Sequence, residues 1–330
     1  MTIPPGSTPS APRTAGDLAA LEDTYDVDAT PLARAAQHSL LARQSRTAPE
    51  RPSSSAVPRP RSTRVMVVAN QKGGVGKTTT TVNIAAALAQ LGQRVLVIDL
   101  DPQGNASTAL SVEHRRGVPS TYDGLVEGKP LADIAQPCPD LPGLFVVPAT
   151  IDLAGAEIEL VRVVAREGRL RKAIHGHPLV VTDAARAATV EDRFDYVLID
   201  CPPSLGLLTL NALVAGDEMM IPIQAEYYAL EGLGQLLETV DMVRAHLNPD
   251  LAVSTILLTM YDARTRLAAG VAEEVRGHFG DQVLRTNIPR SVRVSEAPSY
   301  GQTVMTYDPG SPGALSYFEA AREIATKGAR

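Results

Sequence analysis

The sequence predicts an α/β protein built on a doubly wound, mostly parallel sheet with helices on both faces. From residue 64 onward, near-continuous apolar runs alternate with stretches of helical periodicity, as expected for strands buried on both faces of a sheet. The first run leads directly into the glycine-rich stretch 70–80, and a helix-like stretch follows that loop. Ligands of such sheets bind beyond the carboxyl ends of the strands, so we expect the functional residues at that edge.

Each element is predicted from its own stretch of sequence. Short apolar runs predict strands at 64–70, 94–100, 144–149, 194–200, 218–224, 253–260 and 281–288. Apolar residues at helical spacing predict helices at roughly 77–91, 152–172, 205–215, 226–246, 265–279 and 312–327. Because parallel strands need a crossover connection, we expect right-handed βαβ units.

The first part of the chain has a different composition. Residues 1–62 are rich in Pro, Ser and Ala, which predicts a disordered N-terminal extension, and residues 63–330 form the predicted folded domain. A weak helical pattern lies at 30–44. A transient helix and a short partner-binding helix both fit it, so the partner of the extension stays open.

Composition narrows the classes of function. The formal net charge is −6, so any binding to nucleic acid has to come from a local basic patch. The two cysteines, Cys138 and Cys201, are too few for a disulfide framework or a four-cysteine metal site and favour reduced thiols in the cytoplasm. No apolar run approaches the roughly 20 residues that span a bilayer, and the first residues lack the apolar core of a secretion signal.

The stretch 70–80 reads NQKGGVGKTTT and has the context of a phosphate-binding loop, between a strand and a helix. Its glycines leave room for backbone N–H groups to surround phosphate oxygens, and the helix that follows adds its positive dipole end. Lys77 supplies a cation for the β and γ phosphates, Thr78 is placed to bind Mg²⁺, and Thr79 is expected beside the α phosphate.

This loop departs from the general pattern G-x-x-x-x-G-K-[ST]. Gln71 stands where a glycine is expected, and Lys72 adds a second lysine. The chain is therefore predicted to hold a nucleoside triphosphate with two lysines. The predicted nucleotide contacts in the loop are Gln71, Lys72, Gly73, Gly74, Val75, Gly76, Lys77, Thr78 and Thr79.

Acidic residues end two of the predicted strands. Asp99 and Asp101 follow the run RVLVI, and Asp200 follows FDYVLI. A carboxylate at this edge can orient an attacking water or hold the shell of Mg²⁺. Asp101 is the residue that emerges from the sheet, whereas a role for Asp99 as a simple turn cap is equally compatible with the pattern. We therefore predict a metal site of Thr78, Asp101 and Asp200.

Taken together, several motifs resemble the ParA/Soj chromosome-partition ATPases, the deviant Walker A class of P-loop NTPases, and the resemblance spans 64–327. They are KGGVGKTT (72–79), DLDPQGN (99–105), DCPPS (200–204), QAEYYALEGL (224–233), LLTMYDARTRL (257–267) and IPRSVRVSEAPS (288–299).

The resemblance implies a slow, partner-stimulated ATPase with ATP and Mg²⁺ as cofactors. In that family the first lysine of the loop, here Lys72, reaches the nucleotide of the partner subunit in an ATP-dependent homodimer. The acid that is critical for hydrolysis aligns with Asp101, and the Walker B acid aligns with Asp200. The predicted catalytic residues are thus Lys72, Lys77 and Asp101, and the analogy also places Pro289 beside the adenine.

The resemblance further implies non-specific DNA binding, a ParB-type centromere-binding partner and a cytoplasmic, nucleoid-associated protein that does not bind membranes. Arg264 and Arg293 match the family's DNA-binding positions, whereas Arg266 and Arg290 are supported less. For a loop arginine without the resemblance, a solvated or ion-paired side chain is the ordinary expectation.

Two segments depart from the pattern of the family. The N-terminal extension is longer than in most chromosomal relatives, and the segment 175–192 is longer than usual. Its His175 and His177 are expected in a surface loop rather than at a metal.

Three alternative functions remain. A MinD-like division-site regulator that cycles on the membrane is the first and requires a terminal amphipathic helix. An iron–sulfur reductase component requires paired cysteines, and a transcriptional regulator requires specific operator binding.

Overall fold

The computed structural model describes residues 57–226 and 229–327. Within these ranges, seven strands form one sheet in the order β3-β4-β2-β5-β1-β6-β7. All neighbouring pairs are parallel except β3 and β4, which confirms the predicted α/β fold. The strands are β1 Arg64–Val68, β2 Val95–Asp99, β3 Gln136–Pro137, β4 Leu144–Val147, β5 Tyr196–Asp200, β6 Glu218–Gln224 and β7 Ala252–Thr259.

Helices cover the connections between the strands. The α-helices are α1 Lys77–Gln90, α2 Asn105–Ala109, α3 Leu153–Leu160, α4 Arg169–His175, α5 Ala184–Ala187, α6 Leu207–Ala215, α7 Ala229–His246, α8 Arg266–Phe279, α9 Val292–Glu296, α10 Val304–Tyr307 and α11 Pro312–Lys327. Short helical turns lie at Asp123–Glu127, Leu131–Asp133, Arg166–Gly168, Gly280–Gln282 and Ala297–Tyr300.

The hydrophobic core lies on both faces of the sheet. Along β1, Val65 and Val67 belong to one apolar cluster, and Met66 and Val68 belong to the other. Successive side chains of a strand point to opposite faces, so the alternation shows that helices cover both sides. Apolar residues throughout the strand, rather than at every second position, are what this arrangement requires.

The predicted strand at 281–288 is wrong. Leu284 N donates to Ile256 O and Ile288 N donates to Leu258 O, so four residues of this segment span two residues of β7 and no regular ladder forms. The intervening Arg285 N and Thr286 N donate instead to the Glu323 carboxylate, at 2.9 and 3.0 Å. Because these two amides donate to the Glu323 carboxylate of α11, they are not available for hydrogen bonds to β7.

The predicted helix at 152–172 is interrupted. It consists of α3 and α4, which a segment containing the turn Arg166–Gly168 separates. Ala165 adopts a positive φ of 52°, a conformation that ends a right-handed helix and is unfavourable for a residue with a Cβ. Val161, Val163 and Val164 precede it, and β-branched side chains lower helix propensity.

The last residues assigned to the N-terminal extension pack against the domain. Val57 is buried, and Gln93 donates its side-chain amide to Val57 O at 3.2 Å. Arg59 Nε lies 2.8 Å from the fully buried Asp195 carboxylate, and the Arg193 guanidinium donates to Pro60 O. The prediction for 1–56 falls outside the described residues, and the boundary at residue 62 stays a prediction.

The segment 175–192 contacts the same stretch of chain, 57–63, and Arg59 Nη1 donates to Glu191 O at 3.1 Å. Thr63 N donates to Val181 O at 2.8 Å, and Val181 N donates to Thr63 Oγ1 at 2.9 Å. His177 is buried, with its ring centroid 5.2 Å from that of Phe194, so the expectation of a surface position for His177 is wrong. Burial lowers the pKa of His177, which fits a neutral core residue.

Candidate nucleotide-binding site

The glycine-rich loop joins the end of β1 to the start of α1. Gly74 and Gly76 adopt φ values of 75° and 87°, which side chains with a Cβ rarely adopt. A Cβ added at Gly73 or Gly74 would meet no atom within 4 Å, so open space lies above this backbone. The loop therefore offers both the conformation and the room that a phosphate requires.

Neighbouring strands hold the loop in place. Thr259 Oγ1, at the end of β7, donates to Val75 O at 2.8 Å. Asn70 donates its side-chain amide to Pro222 O of β6 at 2.8 Å, and its Oδ1 accepts from Lys72 N at 3.0 Å. We call the loop backbone at 70–76 the cradle. Both of its ends are thus held by hydrogen bonds to the neighbouring strands β6 and β7.

The two lysines of the loop lie in different surroundings. Lys77 is buried, and its Nζ donates to Lys72 O at 3.2 Å. Burial lowers the pKa of Lys77, while Asp200 and Asp101 act in the opposite direction. The Nζ of Lys72 lies outside the loop, 3.0 Å from Glu226 Oε2, and both side chains of this pair are partly exposed. The Lys77 amine therefore contacts the backbone of the loop, whereas the Lys72 amine contacts Glu226, which follows β6.

Asp200 ends β5 directly beside the loop. It is the register partner of Val68 on β1 and of Asp99 on β2. Its Oδ1 accepts from Thr81 Oγ1 at 2.7 Å, whereas its buried Oδ2 has no hydrogen-bond partner among the described residues. Burial, followed by the charge of Asp99, raises the pKa of Asp200, and the hydroxyls of Thr81 and Thr78 oppose this shift.

The unpartnered Asp200 oxygen fits a magnesium site. Buried acceptors are ordinarily satisfied, and a water in the shell of Mg²⁺ would supply the missing donor. The described residues contain no group of three or more His, Cys, Asp or Glu side chains that could hold a metal. Magnesium in nucleotide sites binds phosphates, waters and one or two protein oxygens, so Thr78, Asp101 and Asp200 suit it.

Asp99 and Asp101 follow one another at the end of β2. Asp101 is nearly buried, and its Oδ1 accepts from Gln103 N at 3.0 Å. Asp99 is fully buried, and burial raises its pKa to about 6, opposed by hydrogen bonds from Ser107 and from Asp101 N. The loop, Asp101 and Asp200 thus share the carboxyl edge of the sheet, as the sequence predicts.

The predicted DNA-binding arginines are Arg264, in the loop after β7, and Arg293, in the first turn of α9. Tyr261 and Pro289 form a parallel bridge, and Tyr261 N donates to Ile288 O at 2.9 Å, so the loop after β7 runs beside the loop before α9. Arg264 is 89% exposed and pairs with Asp262 at 2.8 Å. Arg293 pairs with Glu296 at 3.3 Å and Asp308 at 3.5 Å.

The remaining predicted groups do not form a second site. Cys138 and Cys201 are free and buried, which does not match an exposed cluster-binding pair, and burial raises the pKa of both thiols.

No helix in the ranges described is long and apolar enough to cross a membrane. Pro289 is half-buried at the same edge as the loop, where its predicted place beside the adenine stays a prediction.

Several residues of this site were not predicted. Thr81 lies one turn beyond Lys77 and could have been suspected, because residues four apart share a helix face. Glu226 and Thr259 lie inside motifs that resemble the family. Their local sequence does not predict that Glu226 contacts Lys72 or that Thr259 contacts Val75. Ser107 is a small polar residue in a short helix, and this local pattern does not indicate a functional residue.

Comparison with known proteins agrees with this geometry. A family model described as an AAA domain matches residues 63–253. The chain is 51% identical to the sporulation initiation inhibitor protein Soj of Bacillus subtilis over 265 residues, which cover 80% of this chain and 99% of the relative. It is 48% identical to the chromosome partitioning protein ParA of Caulobacter vibrioides, over 80% of this chain and 94% of the relative.

Solved structures share the fold. Cobyrinic acid a,c-diamide synthase from Mycobacterium smegmatis, crystallised with ADP and magnesium, matches with a TM-score of 0.63 and 38% identity, over 78% of this chain and 92% of the other. The cell division ATPase MinD of Pyrococcus furiosus matches with a TM-score of 0.61 and 25% identity, over 79% and 98%. On the sequence identity to Soj and ParA over nearly their whole length, this chain belongs to the Soj/ParA family of chromosome-partitioning ATPases.

Proposed function

We propose that this protein is an ATP-dependent dimerising switch that binds DNA non-specifically and, with a ParB-type partner, drives the partitioning of a chromosome or plasmid. Its cofactors are ATP and Mg²⁺, in line with solved relatives that contain ADP or an ATP analogue with magnesium. We further propose that it works in the cytoplasm on the nucleoid. The observation that carries the switch is the different placement of the two loop lysines.

Lys77 and Lys72 are suited to different nucleotides. The buried Lys77 amine can reach only phosphates within its own cradle. The Lys72 amine is partly exposed and held by Glu226 alone among the described residues. An exposed ion pair of this kind contributes about 0–1 kcal/mol, so Lys72 can exchange Glu226 for a phosphate. Two nucleotides that face each other in a dimer concentrate negative charge, which a second cation offsets.

Hydrolysis is assigned to the acids at the same edge. Asp101 orients the attacking water, and Asp200 with Thr78 holds the metal shell. When bound there, Mg²⁺ would neutralise charge that develops on the phosphates. Asp101 lies in a loop that ends β2 rather than in a rigid strand. A dimer contact can therefore complete the site, so we expect slow turnover in the monomer.

The lysine assignment is tested by Lys72→Ala. This change removes the proposed contact in trans but leaves the cradle and Lys77 intact. We expect ATP affinity within about threefold of the wild type, since the change in binding free energy is less than roughly 1 kcal/mol. Dimerisation with ATP should be abolished, measured by light scattering with a hydrolysis-resistant ATP analogue and Mg²⁺.

The matched control is Lys172→Ala, which removes an exposed lysine of α4 remote from the loop and should dimerise normally. An ATP-dependent dimer of Lys72→Ala at the wild-type protein concentration would exclude the trans role. Loss of ATP binding would instead place Lys72 in its own cradle.

DNA binding is assigned to Arg264, in the loop after β7, and to Arg293, at the start of α9. Their ion partners, Asp262 and Glu296, are themselves partly exposed, so these pairs are weak and a DNA phosphate can replace the carboxylates. The chain is acidic as a whole, so contacts should be few, confined to this patch and sensitive to salt.

The test measures DNA retention with ATP, with ADP and without nucleotide, for the wild type and for Arg264→Ala/Arg293→Ala. The wild type should be retained with ATP only, and the double variant in none of the three states. The single variants Arg264→Ala and Arg293→Ala should each reduce the salt dependence of DNA binding with ATP by about one unit of slope, because each loses one phosphate contact. Arg285→Ala, at an exposed arginine of another loop, is the control. Equal retention in the three nucleotide states would contradict the switch.

A further inference from the structure

Asp99 has a buried carboxylate that the proposed mechanism does not use. It ends β2, is completely buried and is the register partner of Asp200 on the neighbouring strand β5. Burying a carboxylate is costly unless its oxygens receive hydrogen bonds. The donors that reach Asp99 therefore indicate what it does.

Both oxygens of Asp99 accept hydrogen bonds from one short segment. Oδ1 accepts from Asp101 N at 3.2 Å. Oδ2 accepts from Ser107 N at 2.8 Å and from Ser107 Oγ at 2.7 Å. One carboxylate thus binds the beginning and the end of the segment 101–107, which carries Asp101.

Neighbouring strands fix the far end of this segment. Ser107 Oγ accepts from Ala149 N, just beyond β4, at 3.1 Å. Thr121 Oγ1 donates to the backbone oxygen of Asp99 at 2.8 Å. Among the hydrogen bonds of the described residues, none joins the Asp99 side chain to the phosphate loop at 71–79.

We propose that Asp99 is a positioning residue for ATP hydrolysis, which holds the segment 101–107 so that the Asp101 carboxylate stays at the edge facing the phosphate loop. The proposal rests on the role of Asp101 in hydrolysis. A carboxylate is required because it meets three donors. An amide can accept at one oxygen only and sets its own N–H groups against the remaining donors.

The predicted consequence is a defect in turnover without a defect in binding. In the full-length protein, Asp99→Asn should lower kcat by at least ~10-fold, the loss of a charge-assisted hydrogen bond. The Kd for ATP, measured by titration calorimetry with Mg²⁺, should stay within about threefold of the wild type. Ser107→Ala should lower kcat less, and Ser107→Thr, which keeps the hydroxyl, should restore most of it.

Two controls separate this proposal from the role of Asp101. Thr108→Ala removes a neighbouring exposed hydroxyl that donates to Gly104 O and should keep wild-type kcat. Asp101→Ala should lose hydrolysis altogether while it keeps ATP. If Asp101→Ala still hydrolyses ATP, the assigned role of Asp101 fails, whatever Asp99 does.

The positioning role is overturned if Asp99→Asn or Ser107→Ala turns over at the wild-type rate while Asp101→Ala is inactive. Loss of ATP affinity in parallel with kcat also overturns it, because Asp99 would then act on the cradle. Should Asp99→Asn fail to fold, the comparison of Ser107→Ala with Ser107→Thr decides alone, since only the alanine variant loses the hydroxyl.

Discussion

At the scale of single residues, the site depends on polar side chains whose partners are distant in sequence. Lys72 and Glu226 are separated by 154 positions, and Thr81 and Asp200 by 119. The sequence predicts that Lys72, Lys77, Asp101 and Asp200 belong near a nucleotide, because each stands at the end of a strand or in the loop. It does not predict which oxygen each amine or hydroxyl contacts, since that follows from tertiary packing.

Asp200 gives a prediction about pH and stability. Burial and the charge of Asp99 raise its pKa from 3.8 to about 8, so the folded protein binds this proton more tightly than the unfolded chain. The stabilising contribution is complete below pH about 4 and is lost as the pH rises towards 8. Asp200→Asn should therefore raise the Tm at pH 8 but not at pH 4, measured without nucleotide.

The control for this experiment is Asp262→Asn. The hydrogen bond from Arg264 lowers the pKa of Asp262 to about 2, so its shift has the opposite sign and no gain in Tm at pH 8 is expected. Asp200→Asn should also weaken Mg²⁺-dependent ATP binding. Equal changes in Tm at both pH values would mean that ionisation of Asp200 does not limit stability.

At the scale of elements, the predictable parts are those in which local pattern and tertiary packing agree. The strands that end in Asp99 and Asp200 are apolar throughout and buried on both faces, so composition alone predicts them. The segment 281–288 reads DQVLRTNI and has only three apolar residues, and the Glu323 carboxylate of α11 accepts hydrogen bonds from two of its amides. A competition between two distant elements is not visible in either stretch of sequence.

Helix α11 stabilises the helix that starts at the phosphate loop. It packs on α1 through small residues such as Ala320 and Ala321, and the hydroxyls of Tyr317 and Thr80 lie 3.4 Å apart. Ile324 is buried in the same cluster, and its backbone oxygen accepts from Arg64 Nη1 at 2.9 Å. This face is filled by protein, which argues against its use as a membrane-binding face.

The packing of α11 is tested by Ile324→Ala. Removing this side chain should lower the free energy of unfolding by about 2–5 kcal/mol, because a cavity is left in the core. Leu315→Ala, on the same helix but 56% exposed, should change it by less than roughly 0.5 kcal/mol. Chemical denaturation of both variants provides the measurement, and similar losses would show that α11 is not packed by this face.

At the scale of the whole molecule, the two segments that the sequence predicts to depart from the family are in contact. The residues 57–63 and the segment 175–192 are joined by hydrogen bonds between Thr63 and Val181, and by one from Arg59 Nη1 to Glu191 O at 3.1 Å. Just beyond the segment, Arg59 also pairs with Asp195. Sequence composition assigns 57–62 to the extension because of its prolines, and it cannot show that Val57 and Pro60 find partners in the domain.

This contact is tested by Arg59→Ala in the full-length protein. Asp195 keeps Arg193 and the Arg94 amide as partners, so the expected loss is moderate, about 1–2 kcal/mol, or roughly 2–8 °C in Tm. Arg61→Ala, at an exposed arginine two residues away, should leave the Tm unchanged. Identical melting of the two variants would mean that the Arg59 contact does not stabilise the domain.

The position of residues 57–63 on the domain indicates where a reporter protein can be attached. Arg94 and Asp195 immediately precede β2 and β5, so residues 57–63 lie at the amino edge of the sheet. The phosphate loop lies at the carboxyl edge, a strand length of roughly 16 Å away. A fluorescent protein inserted ahead of Val57 should therefore join the chain remote from the nucleotide, and it can follow the protein in cells without obstructing the loop.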